Sequence, residues 1–96
     1  MSLLPLNGPA VYNKVSITDT PTELKVGATA LDQRAIATAQ PSDGHIYYGY
    51  DSSVTSLTGT KIFKNQLITF EANDSLPIFL VADIGIAVDV RITEAG

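Results

Sequence analysis

Hydrophobic and polar residues alternate with a period of two along most of the chain. The clearest run is Ile86–Thr93, in which β-branched Ile and Val alternate with Ala, Asp, Arg and Thr. Successive side chains of a strand point to opposite faces, so this run predicts a strand with one apolar face and one polar face. Val15–Ile17 and Leu24–Val26 show the same alternation over shorter lengths.

Other stretches also indicate strands. We predict them at Arg34–Gln40, Ile46–Tyr50, Gln66–Ala72 and Ile78–Ala82. The run Ile78-Phe79-Leu80-Val81 is apolar on both faces. It should therefore be buried on both sides or covered by a partner.

Turn-forming residues separate the strands at intervals of roughly 8–12 residues, the spacing of a β-sandwich or small barrel. Examples are Pro41-Ser42-Asp43-Gly44 and Asp83-Ile84-Gly85. Ala28–Ala39, rich in alanine, is the only competing helical stretch, and a short turn fits near Gly27–Gln33. The pattern predicts an all-β protein: a small, single-domain antiparallel β-sandwich, jelly-roll-like, with about seven to eight short strands. A closed barrel has nearly the same pattern.

The first residues differ from the rest. Pro5 and Pro9 oppose a regular helix or a central strand, while Leu3, Leu4 and Leu6 supply apolar side chains. We predict an extended N-terminal arm over residues 1–13, with the leucines docking on a neighbouring subunit, and a β-sandwich domain over residues 14–96. A frayed terminus is the alternative.

Composition excludes several classes of protein. The 96 residues suffice for one domain, and 45% hydrophobic against 17% charged residues is too apolar for a disordered chain. The net charge is −4 and the cations are scattered, which opposes binding to nucleic acid or to an anionic membrane. No apolar run approaches the ~20 residues of a membrane span, and Met1–Pro9 lacks the features of a secretory signal.

No arrangement of residues supports a reaction. His45 is the single histidine and there is no cysteine, so a metal centre lacks its usual ligands. The chain has neither a Gly-x-Ser-x-Gly elbow nor a phosphate-binding glycine motif. We expect no catalytic residues, no cofactor and no metal, and therefore not an enzyme.

Tyr47, Tyr48 and Tyr50 form the one aromatic cluster. Alternation places Tyr48 and Tyr50 on one face and Tyr47 on the other, with His45. Exposed tyrosine favours a contact surface. A carbohydrate-binding platform is the alternative function.

The middle and end of the chain resemble small structural proteins of tailed-bacteriophage virions. That pattern has an arginine before an apolar strand and a polar turn, a Tyr-x-Gly strand end, a Val-Thr loop, a glycine and two closing strands. The residues that carry it are Arg34–Ala37, Pro41–Gly44, Ile46–Thr55, Gly59, Ile78–Ala82 and Val88–Glu94. Ala35–Gln40 departs from it, with alanines where the pattern has larger aliphatic residues.

The resemblance implies an assembly role without catalysis. We expect a capsid decoration (cement) protein that oligomerises as a trimer or dimer and binds the major capsid protein on the outer capsid surface. Before assembly it would reside in the host cytoplasm. A tail, neck or fibre-associated component is the alternative within virions. The expected interface residues are Leu3, Leu4, Leu6, Tyr47, Tyr50, Val54 and Phe79.

Overall fold

The computed structural model describes residues 8–96, which form eight β-strands in two antiparallel four-stranded sheets. The predicted arm residues Leu3, Leu4 and Leu6 lie outside the described residues. Within residues 8–96 no helix is long and apolar enough to cross a membrane. The strands are β1 (Ala10–Ile17), β2 (Thr22–Glu23), β3 (Ile36–Pro41), β4 (Ile46–Gly49), β5 (Thr60–Ile62), β6 (Ile68–Phe70), β7 (Phe79–Val81) and β8 (Val88–Ala95).

The strand order identifies the architecture. One sheet runs β1-β8-β3-β6 and the other β2-β7-β4-β5, so consecutive strands alternate between the sheets except at β4–β5. This is the strand order of an eight-stranded jelly roll, built from two Greek keys. The predicted all-β, jelly-roll-like sandwich is confirmed.

The core lies between the sheets. Val88, Val90 and Ile92 project from β8 into it and are at most 1% exposed, as their alternation predicted. Ile46 and Leu80 of the other sheet belong to the same buried cluster. The β8 strand begins only at Val88, so Ile86 of the predicted run falls in the preceding loop and is half-exposed.

The alanines of β3 have a packing role. Ala37 and Ala39 are fully buried on the core face. In register, Ala37 lies between Phe70 and Glu94 on the two neighbouring strands, and Ala39 between Ile68 and Ile92. Small side chains on β3 thus alternate with large ones beside it, which keeps the core filled without crowding.

The two-sided apolar strand is covered by the chain itself. Leu80 of β7 faces the core, while Val81 faces outward and is only 2% exposed. The β4–β5 connection folds over this outer face and places Val54 against Gly49 and Gly59. A Cβ at either glycine would lie less than 3.0 Å from the Val54 side chain, so only glycine permits this approach.

Several predicted boundaries differ from the structure. The predicted strand at Leu24–Val26 is instead β2 at Thr22–Glu23; Leu24 follows it, with its amide donating to the Ile78 carbonyl oxygen (2.6 Å) and its side chain in the core. The β5 strand was not predicted, since three residues between turns show too little alternation. The β1 strand starts at Ala10, so residues 10–13 pair with β8 rather than belonging to an arm.

Candidate interaction surface

Four connections meet at one end of the sandwich: β1–β2, β3–β4, β5–β6 and β7–β8. Hydrogen bonds join neighbouring connections directly. The Ala82 amide donates to the Thr18 carbonyl oxygen (2.7 Å), and the Asn65 amide donates to the Pro41 carbonyl oxygen (2.8 Å). The first bond joins the β1–β2 and β7–β8 connections, and the second joins the β5–β6 connection to the end of β3, where the β3–β4 connection begins. Such ends are where sandwich folds commonly carry binding loops.

The loops at this end expose large apolar side chains. Ile84 at the tip of the β7–β8 loop is 86% exposed, and Ile86 is 50% exposed. Phe63 and Leu67 flank the β5–β6 turn and are each about 60% exposed. Leu57, 93% exposed, extends from the β4–β5 connection and shares a depression of about 340 Å³ with Ile84. We name Leu57, Phe63, Leu67, Ile84 and Ile86 the apolar end.

Acidic groups lie near Ile84, whereas Phe63 has the Lys61 Nζ nitrogen 5.0 Å from its ring centroid. Asp19 accepts a hydrogen bond from the Gly85 amide (3.3 Å), which ties it to the Ile84 loop. Asp83 lies beside Ile84 in sequence, and Asp43 accepts a hydrogen bond from the Asp89 amide (2.9 Å). Large exposed apolar groups rimmed by polar ones mark binding surfaces. The acidic groups near Ile84 add a preference for a basic partner surface.

His45, Asp83 and Tyr47 form a cluster behind the apolar end. The Nε2 nitrogen of His45 lies 2.7 Å from Oδ2 of Asp83. The rings of His45 and Tyr47 meet edge to face at 5.6 Å. Partial burial raises the pKa of Tyr47, and the charge of Asp83 and its hydrogen bond with the phenol raise it further. The cluster anchors the base of the loop that carries Ile84.

The predicted interface residues are distributed over different surfaces. Tyr47 and Phe79 are half-buried on the outer face of the second sheet. Val54 shares that face but is buried (6% exposed), so it fills the slot over the glycines and offers no contact surface. Tyr50 is 54% exposed and lies elsewhere, in a shallow hollow that Tyr48 and Leu76 also line.

Neither Leu57 nor Ile84 is among the interface residues that the sequence predicts. Ile84 lies within Asp83-Ile84-Gly85, a sequence that predicts a turn between strands and by itself indicates no contact surface. The informative feature was the β-branched apolar residue itself, which is uncommon at the tip of a polar turn. Leu57 showed no comparable signal, since its position beside Ile84 depends on how the long connection folds.

Comparison of the chain with models of protein families, with curated proteins and with solved structures found no match. Within residues 8–96 no group of three or more His, Cys, Asp or Glu side chains is placed to hold a metal ion.

Proposed function

We propose that this protein is a structural component of a tailed-bacteriophage virion that binds the outer capsid surface as a decoration protein. The observation that carries the proposal is the apolar end. Five large apolar side chains on the surface of a 96-residue chain favour association with another protein. The resemblance of the residue pattern to that of small virion proteins suggests the biological setting.

The fold and the surface are compatible with this role. Jelly rolls are frequent in viral capsid and lectin domains, although a fold by itself does not define a function. Burying one large aliphatic side chain stabilises a complex by about 1.5–3 kcal/mol. Modest individual contacts suffice for a decoration protein if its oligomer engages several capsid sites at once, because the contacts act together through effective concentration.

The acidic residues near Ile84 favour a basic partner surface there. Asp19 and Asp83 flank Ile84, and the chain carries a net charge of −4. A matching site has an apolar groove between capsid subunits, bordered by Lys or Arg. Binding should then weaken as the salt concentration rises, because the acidic charges are exposed and screened.

Copy number in purified particles tests the proposal. We expect about one copy per major capsid subunit, or a simple fraction of one, by quantitative mass spectrometry. A total of a few copies per particle would instead indicate the neck, tail or fibres. Absence from particles would contradict both virion roles.

A carbohydrate-binding module is the second candidate, and exposed Tyr50 is the observation that favours it. Tyr47 is less suited to stacking on a sugar, because it is half-buried and held by Asp83. Binding to a glycan array that is lost in Tyr50→Ala and kept in Tyr47→Ala would favour this function. If wild type and both variants all fail to bind a broad array, carbohydrate binding is excluded.

A further inference from the structure

Within residues 8–96, the outer edge of β1 is an open strand edge of unusual length. This part of the chain has four edge strands, and β2, β5 and β6 contain only two or three residues each. Short edge strands are a common protection against pairing with other chains. The β1 strand has eight residues, contains no proline, and has no strand neighbour beyond β8 among the described residues.

The hydrogen-bond ladder shows which β1 backbone groups are open. The Gly96 amide donates to the Pro9 carbonyl oxygen (2.9 Å), which extends the β1–β8 ladder through odd-numbered residues of β1. The Ser42 amide donates to the Asp89 carbonyl oxygen (2.9 Å). The backbone N–H and C=O groups of odd-numbered β8 residues therefore point to β3, and those of even-numbered residues point to β1. Both observations place the backbone groups of Ala10, Tyr12, Lys14 and Ser16 on the open edge.

We propose that two copies of this chain associate through this edge, with their β1 strands antiparallel about a two-fold axis at Asn13. Tyr12 of each copy then pairs with Lys14 of the other, and Ala10 with Ser16. Each of these pairs exchanges two backbone hydrogen bonds, giving one continuous eight-stranded sheet. The Lys14 amide, now bonded to the Asn13 side chain (2.8 Å), is released for the second copy.

Charge favours this register. Lys14 lies opposite Arg91 within the chain, and neither cation has an ion-pair partner among the described residues. Like charges opposite each other are destabilising. The proposed pairing brings the ring of Tyr12, now 83% exposed, beside Lys14, where a cation–π contact offsets the repulsion. Moving the register by two residues would place Lys14 opposite Lys14 of the other copy, or opposite Ala10 of the other copy.

Side chains on the core side of β1 are also complementary. Val11 and Val15 are half-buried, and Val15 packs against the core cluster. The two-fold places Val11 of one copy opposite Val15 of the other, so each covers the exposed part of its counterpart. A surface that matches itself in this way is suited to a symmetric dimer. The inference rests on β1 alone and does not depend on the proposed capsid role.

Sedimentation of the full chain is the first test. We expect a concentration-dependent species of twice the 10.2 kDa chain mass. Ser16→Pro removes an amide that faces the open edge and leaves the β8 ladder intact. Because the change occurs twice per dimer, it should weaken dimerisation by about ten- to hundredfold. A monomer at every concentration up to about 1 mM would overturn the proposal, since even very weak dimers form there.

Disulfide trapping tests the register, since the chain has no cysteine. Residues opposite each other in a non-hydrogen-bonded antiparallel pair lie within disulfide reach. Asn13→Cys should therefore cross-link rapidly on oxidation, whereas the matched Ser16→Cys should not. A dimer in which Asn13→Cys stays unlinked would overturn the proposal.

Ile84→Asp separates this inference from the capsid role. It should leave the dimer intact, because Ile84 belongs to the apolar end. Dissociation of the dimer by Ile84→Asp would show that the apolar end, not β1, joins the two copies. Loss of capsid binding with an unchanged dimer would support both proposals independently.

Discussion

The Nη1 nitrogen of Arg34 donates a hydrogen bond to Oε2 of Glu94 at 2.9 Å, and both side chains are buried (2% and 0% exposed). The guanidinium also donates to four main-chain carbonyl oxygens, those of Leu24, Ala72, Asn73 and Leu76. Glu94 accepts hydrogen bonds from the Val26 and Leu31 amides. The pair thus fastens two connections to β8 at the end opposite the apolar end.

Removing one partner of this pair should strongly destabilise the fold. In Glu94→Ala the guanidinium stays buried without its counter-charge, and two amides lose their acceptor. We expect the free energy of unfolding to fall by about 3–5 kcal/mol, measured by urea denaturation. Lys25→Ala is the control: the Lys25–Glu23 pair is partly exposed at 3.5 Å, and its loss should change stability by less than about 1 kcal/mol. Equal losses in both variants would contradict a structural role specific to the buried pair.

Gly49→Ala should destabilise the protein through Val54. A Cβ at Gly49 would lie 2.7 Å from Cγ2 of Val54, so we expect a loss of about 1–3 kcal/mol from overpacking. Thermal unfolding should show that Gly49→Ala combined with Val54→Ala loses less than the sum of the single changes, because they share one contact. Gly27→Ala is the matched control, since its Cβ would meet nothing closer than 3.9 Å. If the stability loss of the double variant equals the sum of the two single losses, Val54 does not pack against Gly49.

Tyr47 should ionise above the ordinary tyrosine value. Partial burial and then Asp83 raise its pKa from 10.0, so the folded state holds the phenol proton more tightly than the unfolded state does. Its contribution to stability is complete below about pH 10 and declines as the pH rises from there through the folded pKa. The difference in tyrosinate absorbance between wild type and Tyr47→Phe isolates this titration. Asp83→Asn should move its midpoint back toward 10.0, and an unmoved midpoint would exclude Asp83 as a cause.

Ile84→Asp should abolish capsid binding while leaving the fold intact. Ile84 is 86% exposed, so its replacement removes little packing within the chain. The lost burial and the added charge beside Asp83 should weaken binding at least about tenfold. Co-sedimentation with undecorated particles measures the effect. Thr69→Asp adds the same charge on the outer face of the β1-β8-β3-β6 sheet and serves as the control. If both variants bind as well as wild type, the apolar end is not the capsid-binding surface.

The success of the strand predictions followed the strength of the local signal. The alternation before Glu94 identified the buried face of β8, since Val88, Val90 and Ile92 all enter the core. The two- and three-residue strands β2 and β5 were misplaced or missed, because their pairing is imposed by β7 and β4 rather than by their own residues. Of the interface predictions, Val54 is enclosed by two glycines whose approach is visible only in three dimensions.

The sequence by itself determined the fold class, because a period of two assigns each residue to a core or solvent face. It also determined that the Ile78–Val81 strand needed cover on both faces. Only the tertiary structure decided that a loop of the same chain supplies this cover and that Ile84 joins the apolar end. It also brought Arg34 to Glu94 across 60 positions of sequence. Such contacts depend on strand order and on how connections cross between sheets, which side-chain alternation along one strand does not encode.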